Sequence, residues 1–102
     1  MAYKIIISPL ANVDEYEAYE WYENQSQGLG EKLLAQLEIA YNKISQNPHH
    51  YGFIDDKKEL RDFLLHPFPY LIVYRINDDT IEVITVHHAK KHPSKKYGTQ
   101  NL

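Results

Sequence analysis

Cysteine is absent from the 102 residues, so neither a disulfide framework nor a thiolate ligand enters the design. No apolar run approaches the roughly 18 residues that a membrane-crossing helix needs. The first residues also lack the long apolar core of a secretory signal. The expectation is a cytoplasmic protein with no membrane association. Internal repeats, low-complexity tracts and interdomain linkers are missing too, and at this length one domain, residues 1–102, is expected to close around a single core. Acids run out toward the end of the chain: from Val83 onward there are four lysines (Lys90, Lys91, Lys95, Lys96) and no Asp or Glu.

Hydrophobic residues at 43% and charged residues at 25% are ordinary values for a folded soluble chain. The formal net charge of -3 conceals an imbalance. Residues 1–56 hold three Lys/Arg against nine Asp/Glu, and residues 57–102 hold eight against five, so the halves differ in sign. An anionic partner is drawn to the C-terminal end by local potential, while the overall acidity argues against a general nucleic-acid binder.

Tyr3 to Ile7 is short, β-branched and aromatic, and Ser8-Pro9 stops it, which predicts a first strand. The period then changes. Asn12 to Asn24 carries acids in its first turn and apolar or aromatic groups at Val13, Tyr16, Ala18 or Tyr19, and Tyr22, which predicts a helix. Gly28 and Gly30 break it into a tight helical hairpin. Leu33, Leu34, Leu37, Ala40, Tyr41 and Ile44 define the apolar face of a second helix, which ends at Asn47-Pro48. Pro48 to Asp56 reads as loop. Leu60 to Leu65 follows, then an interior strand from Tyr70 to Ile76, a turn at Asn77-Asp78-Asp79, and a partner strand from Thr80 to Val86. The order β-α-α-β-β-β predicts an α+β fold, a helical hairpin packed on a mainly antiparallel sheet of about four strands.

Ala11 and Asp14 opening the first helix, "WYENQSQGLGEK" at the hairpin, Asn47-Pro48 with Tyr51, Arg61, "FPYLIVYRI" and "ITVHHAKKHP" occur in an order and spacing that resembles the RelE/ParE superfamily of toxins from type II toxin-antitoxin modules. The resemblance spans nearly the whole chain. It implies a small toxin, also described as a plasmid-stabilisation protein, neutralised by a cognate antitoxin whose C-terminal segment wraps it. RelE-like members cut messenger RNA on the ribosome, whereas ParE-like members poison DNA gyrase and have no known hydrolytic site.

Metal-free RNA cleavage needs a base, an acid and cations around the phosphorane. Arg61 and Lys91 as phosphate clamps, His88 as base or acid, and Tyr97 as stacking or proton-donating group would supply that set. Two departures weaken it. Leu71 follows Tyr70 where RelE-like ribonucleases often carry arginine, and Lys90-Lys91 stand in the tail where the family usually has an arginine fork. The preferred reading is therefore ParE-like, with Trp21, Arg61, Arg75, His88, Lys90 and Lys91 as target- or antitoxin-binding residues. The alternatives are the ribonuclease and a degenerate member that keeps antitoxin binding without toxicity. Glu15, Glu17, Glu20 and Glu23 read as a solvated acidic face, and Tyr19 and Tyr22 as core. Six histidines invite a metal site, but His88 and His92 at i, i+4 converge only on a helix, which Pro93 and the preceding strand oppose. Neither metal nor other cofactor is expected.

Overall fold

The computed structural model describes residues 2–55, 57 and 59–90. Strand β1 (Lys4–Ile7) is followed by helix α1 (Pro9–Gln25), helix α2 (Leu29–Gln46) and a single 3-10 turn at Pro48–His50. Four strands follow among the described residues: β2 (Phe53–Asp55), β3 (Leu60–Leu65), β4 (Tyr70–Asn77) and β5 (Thr80–His88). They form one sheet in the order β1-β5-β4-β3-β2, in which β1 runs parallel to β5 and every other pair is antiparallel.

The α+β arrangement follows from which faces are apolar. Leu33, Leu37, Ala40 and Ile44 of α2 are buried against Leu65, Ile72, Tyr74, Ile81, Val83 and Val86 of the sheet. β4 lies between β3 and β5, as its two covered faces require. β2 is a fifth strand inside the stretch read as loop. It is three residues long and pairs irregularly with β3, too short for a period-2 signal to show in the sequence.

Helix α1 differs more. It begins three residues earlier than the acidic first turn suggested, because Ser8 is its N-cap and Pro9 its first residue; the Ser8 hydroxyl accepts from the Ala11 N–H at 3.1 Å. Its buried face is Ala11, Asp14 and Ala18, whereas Val13 and Tyr16 are exposed. Small residues at i, i+3 and i+7 let the helix lie close to β5; of the residues that looked like a core stripe, Val13 and Tyr16 point outward while Tyr22 still packs on the core.

What α1 approaches is a β-bulge. Val73 pairs with Thr85 and Tyr74 with Val83, so Ile84 has no opposite number. The backbone groups freed there are satisfied from the helix start. Ser8 Oγ donates to the Ile84 carbonyl at 2.8 Å and the Ser8 N–H to Val83 at 3.0 Å. The Asp14 carboxylate accepts from the Thr85 hydroxyl and from the Val86 N–H at 3.0 Å. The hairpin between the helices is fixed by Glu23, which accepts from the N–H groups of Gly28 (2.8 Å) and Gly30 (2.9 Å) at the start of α2.

Candidate functional site

The residues singled out by sequence fall into three places. Trp21 and His88 meet at the end of the sheet where β4 begins and β5 finishes. Edge-to-face contacts link them: Trp21 to Tyr22 at 4.9 Å, Tyr22 to Tyr70 at 6.1 Å, and Tyr70 to His88 at 5.3 Å between ring centroids. Phe68 braces Tyr22 from the β3–β4 turn at 4.9 Å. These rings hold one another in geometries that aromatic quadrupoles favour. The Lys90 N–H donates to His88 Nδ1 at 3.1 Å, so the sensible tautomer of a neutral His88 carries its proton on Nε2. Between α1 and the strand ends lies a groove with Ala18 and Val86 on its floor, Glu17 and Trp21 on one side and Tyr70 and His88 on the other. Burial pushes the Tyr70 phenol up, with Tyr22 and Asp14 adding to the effect, so it stays protonated at neutral pH.

Arg61 is elsewhere. It pairs with Tyr74 in the sheet while His88 pairs with Tyr70. Four residues along a strand and two strand spacings across put their Cα atoms roughly 16 Å apart. Its guanidinium donates to the carbonyls of His49 (3.2 Å) and Tyr51 and stacks 4.0 Å from the centre of the Phe53 ring. Arg75 is on the opposite face of the sheet, where it forms an exposed ion pair with Glu82 at 2.7 Å. Lys90 is exposed just beyond β5, and Lys91 and Tyr97 lie outside the described residues. Among the described residues no three His, Asp or Glu side chains are grouped as metal ligands would be.

The acidic face of α1 is only partly solvated. Glu17 and Glu20 are exposed, Glu20 accepting from the Tyr16 hydroxyl at 2.9 Å. Glu23 is a cap, and Glu15 accepts from the Tyr41 hydroxyl. Burial raises the Glu15 carboxyl; the Tyr41 hydrogen bond opposes this and Asp14 adds to it. On β3, burial likewise raises the Asp62 carboxyl against a lowering influence of His87. Tyr22 packs against the core, while Tyr19 is half-buried, its hydroxyl 3.3 Å from Glu31.

Asp14 and the groove wall at Tyr70 were not recognisable as a site from the sequence alone. The available signal was the small-residue spacing Ala11, Asp14, Ala18, which places a carboxylate on the buried side of α1.

Residues 5–93 match the profile of the ParE toxin of the type II toxin-antitoxin system, parDE. Toxin ParE2 of Mycobacterium tuberculosis is 29% identical over 82 residues, 79% of this chain and 76% of the relative. The fold resembles the chromosomal ParDE system of P. aeruginosa, with a TM-score of 0.77 at 13% identity over 87% of this chain and 98% of that one. It also resembles a chain of the toxin-antitoxin complex RelBE2 of Mycobacterium tuberculosis, with a TM-score of 0.60 at 20% identity over 86% of this chain and 99% of that one.

Proposed function

The chain belongs to the ParE toxin family of type II toxin-antitoxin systems, and from that premise we propose that it stops growth by binding an essential protein, DNA gyrase, rather than by cutting RNA. It is the toxin of its pair and its partner is a cognate antitoxin. The observation that carries the choice of target is the separation of Arg61 from His88. A phosphorane is stabilised only by cations within hydrogen-bond reach of it. Arg61 instead has its guanidinium on the carbonyls of His49 and Tyr51. That arrangement supports a structural Arg61 and a surface that works by recognition.

The test is induced expression without antitoxin, with message integrity followed alongside supercoiling by gyrase in the presence of the purified toxin. Arrested growth with intact messages and inhibited supercoiling is expected. Cleavage of translated messages within minutes of induction would establish the ribonuclease instead. A folded protein that binds antitoxin and leaves growth unchanged would identify a degenerate toxin.

A further inference from the structure

Trp21 makes an edge-to-face contact with Tyr22, yet 56% of its surface is exposed. An indole left half bare beside a groove is a favoured anchor point for a partner. One turn earlier, Glu17 is exposed on the rim of the same groove and has neither hydrogen bond nor ion pair among the described residues. The apolar surface continues along the helix, with Leu10 exposed by 41%, Val13 by 52% and Tyr16 by 60%. No Lys or Arg occurs in α1, so the helix offers carboxylates and aromatic faces with no cation of its own. From Leu10 to Trp21 the helix advances roughly 16 Å, the length of about three turns of a second helix.

We propose that this groove receives a cationic side chain, Arg or Lys, carried by an amphipathic segment of the antitoxin. The cation lies over the face of Trp21 and against the Glu17 carboxylate. Apolar residues of the same segment cover Leu10 and Val13. Two properties of the surface select this occupant. On its helix side the charge is of one sign, which a basic segment complements, and its aromatic wall binds a flat, weakly hydrated guanidinium better than a neutral side chain. The inference rests on the antitoxin being the partner of this chain, and it adds the chemistry by which one face is recognised.

Trp21 is the only tryptophan, so its emission reports occupancy directly. The probe is an acetylated, amidated helical peptide of about twelve residues with leucines on one face and two arginines beside them. A twin carries citrulline for arginine and so keeps the shape without the charge. The full-length toxin is expected to show a saturable emission shift with the arginine peptide at about tenfold lower concentration than with the twin. Glu17→Gln should bring the two within about threefold of each other. Equal affinity for both peptides, or a preference that stays near tenfold after Glu17→Gln, overturns the proposal.

Co-purification with the co-expressed antitoxin separates the two layers of the argument. Failure of the wild type to retain any antitoxin removes the partner reading itself. Undiminished retention by a folded Glu17→Gln, Trp21→Ala variant removes the groove alone. A concentration-dependent shift without peptide would make a second copy of the chain the occupant. Peptide binding that emerges only when Lys90, Lys91, Lys95 and Lys96 are all changed to Gln would make it the chain's own basic end. Either result overturns the assignment.

Discussion

Asp14 carries two hydrogen bonds that β5 cannot make within the sheet, from the Thr85 hydroxyl and the Val86 N–H. Asp14→Ala leaves both donors buried and unpaired, and the expected loss is about 2 to 3 kcal/mol in urea unfolding. Asp14→Asn keeps an oxygen at the same place and should lose less. Equal losses would mean that charge, not the acceptor, is what the bulge uses. Gly30 is constrained by space: a Cβ there would stand 2.6 Å from the Tyr19 carbonyl oxygen and 2.7 Å from its ring. Gly30→Ala must push the helices apart, and about 1 to 3 kcal/mol of destabilisation is expected. Gly28 has a separate reason for being glycine, since a residue with a Cβ rarely adopts its φ of +87° and would be strained there. In the sequence both glycines signal the break between the helices; the contact of Gly30 with Tyr19 carries no local signal.

At the scale of elements, Arg61 ties β3 to the preceding segment through the carbonyls of His49 and Tyr51 and the ring of Phe53. β2 is a short edge strand with few bonds of its own. Arg61→Ala should therefore raise amide exchange at Phe53 and Ile54 by about tenfold or more, while Ile72 and Val83 keep their protection. Uniformly faster exchange would instead place Arg61 in the global stability of the domain. Helix α1 shows where periodicity misleads. Large apolar residues at helical spacing normally mark the buried face. Here the helix sits on a bulge that admits only Ala11, Asp14 and Ala18, and Val13 and Tyr16 became part of an outer surface. That inversion is legible only once β5 is known to be beneath the helix.

Over the whole molecule, two phenols are held by the fold, one fully buried and one partly so. Tyr74 is fully buried and donates to the Pro48 carbonyl at 2.6 Å, and Tyr41 donates to Glu15. Burial pushes both phenols well up, and for Tyr41 the Glu15 hydrogen bond and charge act in the same direction. The folded chain thus keeps protons that the unfolded chain releases near about pH 10, and stability should fall as pH rises through that range. Urea midpoints taken from about pH 8 to 11 should decline in the wild type and flatten in a Tyr41→Phe, Tyr74→Phe variant. An unchanged slope in that variant would assign the alkaline loss to other groups.

The sequence by itself determined the order of the two helices and of four of the five strands, the helical hairpin and the interior position of β4, because each is written in local signals: β-branched runs, glycine and proline punctuation, and apolar spacing. The family likeness was carried separately, by the order and spacing of its motifs along the chain. Only the tertiary structure decided the parallel pairing of β1 with β5, the bulge at Ile84 and the use of Asp14 and Glu23 as caps. It also decided that Trp21 and His88 share one end of the sheet, far from Arg61. Those features depend on which distant residues become neighbours, and a side chain's role as anchor, clamp or cap is set by the backbone groups it happens to meet.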